Sequence, residues 1–354
     1  MTRFDSGYRM IHSAEIRNFR CFKQLSIDKC RRFNVIVGDN GSGKTALLEA
    51  IFLALASSPS IALRYRTQRG LESTFGGALH VIEEALWRDL FYRGIWDSPI
   101  SIVLKGDGQE NRSVLVSRGA QTEIPFSEAG QLEGRVAGIQ FRWVNAANKE
   151  LVFIPKVSPT GLALGEAEEE ILPDFFYFAA NQTITAGENA DRFSELSRSG
   201  KIPEFIDAVR REYAWITNLN IEIVARTPII YATLDTGDRL PLANVSGGVN
   251  RIISFMLALA SRKRAVLCID EIEDGVYYKH QHDVWNILTS TARQQEAQLF
   301  LTTHNEEWLE AVFENENTDD VALWRLVRED GMPRLRQFTG KQISAAIRTD
   351  GEIR

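Results

Sequence analysis

The sequence predicts an α/β fold in which buried core strands alternate with helices and a second, antiparallel β layer is added. Short apolar runs at Phe33 to Val37 and Ala265 to Ile269 are typical of parallel strands, because such strands are covered on both faces. Alternating runs separated by turn residues between Pro99 and Val157 indicate antiparallel strands. A 3.6-residue apolar period from Phe193 to Ala214, interrupted by Gly200, predicts helical structure.

The composition is that of a globular chain with enough apolar residues for a sizeable core. The 354 residues are 44% hydrophobic, and this length allows one large domain or two ordinary ones. The longest apolar stretches, such as Met256 to Ala260, are much too short to cross a bilayer. Met1 to Met10 contains no apolar secretory segment. We therefore expect a cytoplasmic protein without a membrane partner.

The cysteines and histidines give no clear metal motif. The three cysteines form no CxxC pair, which fits a reducing compartment and offers no zinc site. His280 and His282 alternate in a polar segment, and this favours a solvated pair over a metal site. The net charge of −6 argues against a chain that coats DNA. Any DNA contact is expected at one of four local basic clusters, and the first two are favoured because they flank the strand before the clearest glycine-rich loop: Arg17 to Lys23, Lys29 to Arg32, Arg64 to Arg69 and Arg262 to Arg264.

The clearest motif follows the first apolar strand. It consists of Gly38, Asp39, Asn40, Gly41, Ser42, Gly43, Lys44 and Thr45. Its glycines let backbone N–H groups close around phosphate oxygens, and the N-terminus of the predicted helix Thr45 to Leu55 adds partial positive charge. Lys44 is expected to reach the β- and γ-phosphates, and Thr45 to hold Mg²⁺. The required strand and helix flank the motif, so the sequence predicts a site for ATP or GTP.

Carboxylates and a histidine follow two further apolar strands. Ala265 to Ile269 leads directly into Asp270 and Glu271. Asp270 is expected to support Mg²⁺, and Glu271 to orient or deprotonate the attacking water. The strand Leu299 to Leu301 leads to His304, whose ring can hydrogen-bond a γ-phosphate. These residue types at strand ends are those that a phosphoryl-transfer site requires.

A second helix N-terminus preceded by small residues lies upstream of these carboxylates. Ser246, Gly247 and Gly248 open a predicted helix from Val249 to Ala260. Unpaired backbone N–H groups and the helix dipole make such a terminus a site for anions. We therefore expect Ser246, Gly247 and Gly248 to contribute to nucleotide binding.

In this order the motifs resemble those of ABC-class ATPases of the RecF, SMC and OLD type, a group often described as AAA-family ATP-binding proteins. The resemblance rests on five segments, named here after the family's motifs: Ile16 to Phe22 (N-terminal signature), Gly38 to Thr45 (Walker A), Ser246 to Gly248 (signature motif), Ile269 to Glu271 (Walker B) and His304 (switch histidine). The resemblance covers about Ile11 to Phe313. It implies an ABC-type P-loop NTPase with a RecA-like core sheet and a helical signature lobe, which hydrolyses ATP with Mg²⁺.

The resemblance also implies a domain organisation and a further magnesium contact. Residues 1–354 are predicted to form a single ABC-type ATPase domain. Residues 11–181 would hold the Walker A core and the antiparallel layer, residues 182–260 the helical lobe, and residues 261–354 the Walker B part and the tail. The family's Mg²⁺-sensing glutamine should lie between Walker A and the signature motif. Gln182 is the first choice, and Gln68 is the alternative.

In this class the signature motif of one subunit closes on the nucleotide bound by Walker A of another. The resemblance therefore implies a homodimer or higher homo-oligomer with composite ATP sites. About forty residues follow Phe313, which leaves no room for a Toprim nuclease domain. The chain thus resembles stand-alone ATPases that control a separate effector nuclease in bacterial anti-phage defence. A RecF-like repair ATPase on duplex DNA and a non-hydrolysing scaffold that sequesters a toxic partner are the alternatives.

Overall fold

The computed structural model describes residues 10–56, 61, 65, 84–106, 111–119, 122–123, 135–136, 138–145, 148–158, 161–163, 174–180, 185–313 and 319–338. The chain divides into two compact units. Unit 1 comprises Met1–Cys30, Asp39–Pro173 and Leu326–Arg336, and unit 2 comprises Arg31–Gly38, Asp174–Arg325 and Gln337–Arg354. The division into one domain with three successive parts stays a prediction.

Strands and helices are numbered in chain order. The strands are β1 (Ile11–Phe19), β2 (Phe22–Ile27), β3 (Phe33–Val37), β4 (Ile100–Gly106), β5 (Asn111–Arg118), β6 (Thr122–Glu123), β7 (Arg135–Val136), β8 (Ile139–Val144), β9 (Glu150–Phe153), β10 (Lys156–Ser158), β11 (Gly161–Ala163), β12 (Phe175–Phe178), β13 (Ile216–Val224), β14 (Thr227–Leu234), β15 (Arg239–Pro241), β16 (Val266–Ile269), β17 (Gln298–Thr302), β18 (Val321–Glu329) and β19 (Met332–Phe338). The helices are α1 (Lys44–Leu55), α2 (Ala186–Arg198), α3 (Ile202–Glu212), α4 (Leu242–Val245), α5 (Gly247–Ser261), α6 (Gln281–Gln294) and α7 (Glu306–Phe313).

Unit 1 contains the predicted antiparallel layer. Its main sheet has the strand order β2-β1-β4-β5-β8-β9, with every neighbouring pair antiparallel. Helix α1 is buried along nearly its whole length. The indole Nε1 of Trp143 donates to the Leu53 carbonyl at 2.9 Å, and the Arg112 guanidinium donates to the Leu55 carbonyl at 2.9 Å. These two side chains of β5 and β8 satisfy carbonyls in the last turn of α1, which no intrahelical donor reaches.

The core sheet has the strand order β12-β16-β17-β3-β18-β19, and its strands β12, β16, β17 and β3 belong to unit 2. The strands from β12 to β18 pair in parallel, with Ile269 opposite Leu301 and Thr302 opposite Ile36. Parallel strands in register bring their carboxyl ends to one edge. The residues that follow β3, β16 and β17 therefore share that edge of the sheet. The predicted α/β fold with a parallel core sheet and an added antiparallel layer is confirmed.

The helices of unit 2 bury aromatic side chains against the core sheet. Trp285 of α6 is fully buried and meets Phe33 of β3 edge-on, with ring centroids 5.6 Å apart. Phe255 of α5 meets Phe178 of β12 in the same way at 4.7 Å. Edge-to-face contacts add about 0.5–1.5 kcal/mol each to the stabilisation from burial. Within the described residues, no helix is long and apolar enough to span a membrane.

The segment between α3 and α4 differs from a purely helical lobe. It forms the antiparallel sheet β13-β14-β15. The sequence prediction missed this sheet, because the turn between β13 and β14 lacks the usual asparagine or glycine. Ala225 and Arg226 occupy that turn with φ of +48° and +69°. The break predicted at Gly200 is confirmed, since Gly200 has φ of +70° and separates α2 from α3.

Candidate functional site

The Walker A loop connects β3 to α1 through glycines that adopt a left-handed backbone. Gly41 and Gly43 have φ of +77° and +113°. A Cβ atom on Gly43 would also lie 2.8 Å from the Cys21 Sγ, so no other residue fits there without a shift. Helix α1 begins directly afterwards, with the Leu47 amide donating to the Gly43 carbonyl at 3.0 Å. The loop therefore has the backbone that a phosphate cradle requires.

The polar side chains of this loop fit a bound anion. Lys44 is only 7% exposed, and its Nζ donates to the Asp39 carbonyl at 3.2 Å. The hydroxyl of Ser42 is buried and has no hydrogen-bond partner among the described residues. Thr45 is half-buried in the first turn of α1, and Asn40 is exposed. A buried ammonium and an unsatisfied hydroxyl at a helix N-terminus are the donors that phosphate oxygens accept from.

A buried ion pair joins the N-terminal signature to the Walker A helix, and the sequence prediction missed it. The guanidinium of Arg20, in the turn between β1 and β2, lies 3.2 Å from the Glu49 carboxylate on α1. Both side chains are almost fully buried, with exposures of 7% and 2%. Arg20 also donates to the Asp89 carboxylate at 2.9 Å. Separation of two charges that are this deeply buried is costly, so the pair fixes that turn against α1.

One hydroxyl organises the Walker B residues at the end of β16. The Thr302 Oγ1 donates to the Asp270 Oδ1 at 2.6 Å and accepts the Glu271 amide at 2.8 Å. Asp270 is 3% exposed, whereas Glu271 is half-buried. Glu271 has φ of +49°, which is unusual for a residue other than glycine. Thr302, which the sequence analysis did not single out, therefore holds both acidic residues in place.

Arg251 links the signature helix α5 to the Walker B segment. The sequence prediction did not identify this residue either. Its guanidinium donates to the carbonyls of Ala179, Asp270 and Glu271 at 3.0, 2.7 and 3.1 Å. Arg251 is 6% exposed, and burial lowers the pKa of its guanidinium while the carboxylate of Asp274, 3.8 Å away, opposes that shift. A charged donor with three carbonyl acceptors resists displacement, so α5 and the end of β16 are held together.

The signature residues lie at the exposed start of α5. Ser246 and Gly247 are exposed, and the Asn250 amide donates to the Ser246 carbonyl at 2.9 Å. Gly248 is packed against the loop that follows Walker B, because a Cβ atom there would lie 1.9 Å from the Gly275 carbonyl oxygen. Glycine is thus required at position 248 for close backbone approach, whereas position 247 is open.

His304, which follows β17, is oriented by the carboxylate of Glu273 in the loop after Walker B. Its Nδ1 lies 2.9 Å from the Glu273 Oε1, which also accepts the His304 amide at 2.8 Å. Because a carboxylate only accepts, Nδ1 carries the hydrogen and Nε2 of the neutral ring is an acceptor. His304 is otherwise exposed. Gln182 and its alternative Gln68 lie outside the described residues, so the magnesium-sensing glutamine stays a prediction.

Comparisons with known proteins find ATPase segments in this chain. A model described as an AAA domain matches residues 13–84, and one described as an AAA ATPase domain matches residues 163–308. An ATP/GTP phosphatase of Helicobacter pylori is 20% identical over 94% of this chain and 97% of its own length. The two matched segments carry Walker A, and the signature motif with Walker B, respectively. These similarities support an ABC-class ATPase of the RecF and SMC type.

Two further similarities have narrower scope. The DNA replication and repair protein RecF of Ruminiclostridium cellulolyticum is 26% identical over 56% of this chain and 48% of its own length. The chain therefore matches about half of that protein. An Smc head domain with an extended coiled coil, bound to the C-terminal domain of ScpA derived from Pyrococcus furiosus, superposes with a TM-score of 0.49 at 13% identity. It covers 96% of this chain and 99% of the solved one.

Proposed function

We propose that this ABC-class ATPase binds ATP with Mg²⁺ and hydrolyses it to ADP and phosphate. The observation that carries the proposal is the shared edge of the core sheet. Three adjacent parallel strands end there, and they lead into Gly38, the Asp270 and Glu271 pair, and Thr302 with His304. Ligands of open parallel sheets bind at this edge. The order of the strands therefore supports one site built from motifs that are far apart in the sequence.

The role of each residue follows from its surroundings. The Walker A amides, the Ser42 hydroxyl and the Lys44 ammonium would hold the phosphates. Thr45 and Asp270 would hold Mg²⁺, and Gln182 is a further proposed ligand. The metal ion supplies charge neutralisation on the phosphate oxygens. Glu271 would take a proton from the attacking water, because its main chain is fixed while its side chain stays accessible.

Two variants test this assignment. Lys44→Ala removes the positive charge from the loop, and we expect it to abolish ATP binding in a calorimetric titration. Glu271→Gln should bind ATP but slow steady-state hydrolysis by about 10²- to 10⁴-fold, the contribution of a positioned base. Glu296→Gln is the matched control, since Glu296 is a surface partner of Lys263 and Arg264. If turnover in Glu271→Gln stayed near that control, catalysis would belong to another residue.

We further propose that two copies close around ATP, each offering Ser246, Gly247 and Gly248 to the nucleotide held by the other. The exposure of Ser246 and Gly247 at a helix N-terminus supports this, because these groups are available to an external phosphate. Light scattering of Glu271→Gln with ATP and Mg²⁺ should show a doubled mass or a higher oligomer. Gly247→Arg should prevent this, whereas Gly187→Arg, also at an open position, should not. Assembly by both variants would refute the composite site.

The biological role that we propose is a nucleotide-gated sensor or scaffold in the cytoplasm that controls a separate effector, a nuclease, in anti-phage defence. The net charge of −6 supports a protein partner over extensive phosphate contacts. A trigger that prefers the open state would release the effector. Purified protein should leave plasmid DNA intact and should bind a co-encoded nuclease in an ATP-dependent manner. If Glu271→Gln held the effector as well as the wild type and still responded to the trigger, the role would be that of a non-hydrolysing scaffold.

The similarity to RecF favours one alternative function, a DNA repair ATPase that binds duplex DNA. The basic clusters at Arg17 to Lys23 and Lys29 to Arg32 would then contact phosphates. Tight, ATP-dependent binding of duplex DNA by the purified chain at physiological salt would replace the effector model. Charge reversal at Lys23 should weaken such binding, and charge reversal at Lys201, an exposed lysine outside the basic clusters, should serve as its control.

A further inference from the structure

Three potential metal ligands converge outside the nucleotide motifs. Glu212 ends α3, His280 ends the one-turn helix Tyr278–His280, and Asp283 lies in the first turn of α6. One ligand atom from each residue lies within 4.8 Å of the other two. All three belong to unit 2. Segments that are distant in the sequence thus bring two carboxylates and an imidazole to one point.

The charges of this cluster call for a cation. Two carboxylates that repel each other are stabilised when a metal ion lies between them. The side chain of His280, the N-cap residue of α6, makes no capping hydrogen bond, so a helix cap does not account for the position of its ring.

Two of the three residues also line an open groove. Glu212 and Asp283 both line a groove of about 1150 Å³ between α3, α5 and α6. Water molecules in this groove could fill the positions that three protein ligands leave open. The neighbouring His282 lies beside the cluster and is not one of the three converging residues, and its Nδ1 is 3.1 Å from the Asn286 amide nitrogen and 3.9 Å from the Asp283 Oδ1. The arrangement therefore pairs His280 with two carboxylates, not with the histidine nearest in sequence.

We propose that Glu212, His280 and Asp283 bind one divalent transition-metal ion, Zn²⁺ or Mn²⁺. One imidazole with two carboxylates suits these ions, whereas Mg²⁺ and Ca²⁺ prefer all-oxygen ligands. The ion joins the end of α3 to the start of α6, which directly follows the loop after Walker B. Its binding stabilises this junction and is independent of the nucleotide.

Calorimetric titration of the tag-free, full-length protein with ZnCl₂ and with MnCl₂ tests the proposal. Excess Mg²⁺ and no nucleotide are present, so that the Walker residues do not contribute. We expect one equivalent of Zn²⁺ or Mn²⁺ to bind the wild type. His280→Ala and Glu212→Gln should each weaken binding about tenfold or more, and His282→Ala, the matched control, should bind as the wild type does.

Thermal unfolding provides a second measurement. The bound ion should raise the melting temperature of the wild type and of His282→Ala, but not of Glu212→Gln, because only a ligand of the folded state stabilises it. Circular dichroism shows which variants are folded. If His280→Ala does not fold, the comparison of metal binding by Glu212→Gln and the wild type tests the proposal. Absence of stoichiometric binding to the wild type would overturn the proposal. Equal losses of metal affinity in His280→Ala and His282→Ala would also overturn it, since the site would then lie elsewhere.

Discussion

The close approach of Gly248 to Gly275 predicts that even a small side chain at position 248 of the signature helix α5 lowers stability. In Gly248→Ala, the added Cβ would lie 1.9 Å from the Gly275 carbonyl oxygen and 2.9 Å from its carbonyl carbon. Both are backbone atoms, so no flexible side chain can move away. To reach ordinary contact at 3.4 Å, the oxygen or the helix must move by about 1.5 Å. The loop after Walker B therefore has to rearrange.

The expected cost is that of an overpacked core, about 1–3 kcal/mol. A loss of 1 kcal/mol lowers the melting temperature of a large domain by about 2–4 °C, so a decrease of roughly 2–12 °C follows. For the neighbouring Gly247→Ala, we expect the free energy of unfolding to increase instead of decrease. Its Cβ would meet no atom within 4 Å, and alanine is favoured over glycine within a helix by up to about 1 kcal/mol.

Differential scanning calorimetry of the two variants and the wild type measures this difference, and steady-state ATP hydrolysis shows whether the displaced loop affects activity. We expect Gly248→Ala to melt below the wild type, and Gly247→Ala to melt at or above it. Equal melting temperatures for the two variants would refute the argument, because the contact between Gly248 and Gly275 would then impose no constraint.

Three further variants test other contacts of the site. Thr302→Val removes the hydroxyl bonded to Asp270, and the unsatisfied buried groups should cost about 1–3 kcal/mol in urea unfolding; an unchanged midpoint would show that Thr302 does not organise Walker B. Arg251→Met leaves three carbonyls without their charged donor, so we expect a loss of about 3 kcal/mol or more by the same assay, with partial rescue by Arg251→Lys. Trp143→Phe removes the donor to the Leu53 carbonyl at the end of α1 and should cost about 1–3 kcal/mol in thermal unfolding; a cost no larger than that of an exposed tryptophan, Trp215→Phe, would contradict this role.

Local sequence patterns predicted the elements that carry the site. The helix predicted at Thr45 to Leu55 is Lys44–Leu55, and the helix predicted at Val249 to Ala260 is Gly247–Ser261. The apolar run before Asp270 is a buried strand of the core sheet. These features depend on the apolar period and on glycines within a few residues, so the sequence contains enough information for them. The roles assigned to the motif residues stay predictions.

The contacts that hold the site together could not be predicted in this way. Thr302 and Asp270 are 32 residues apart, and Arg251 and Ala179 are 72 residues apart. Threonine and arginine are ordinary residues in a strand and a helix, so nothing local marks them as partners of Walker B. Likewise, Gly248 belongs to a recognisable motif, but its need for glycine arises only from the backbone at position 275. Such requirements appear once the segments pack together.

The central position of β3 has a consequence for biosynthesis. Its sheet neighbours are β17 and β18, and Asn34 donates to the Leu299 carbonyl across a separation of 265 residues. All five residues of β3 are buried in the finished sheet. At about 5–20 residues per second, a ribosome needs roughly 13–50 s to make the chain between them. During that interval the nascent β3 has neither of its pairing partners, so completion of the core sheet is coupled to the end of translation, and the unpaired strand is a natural target for chaperones.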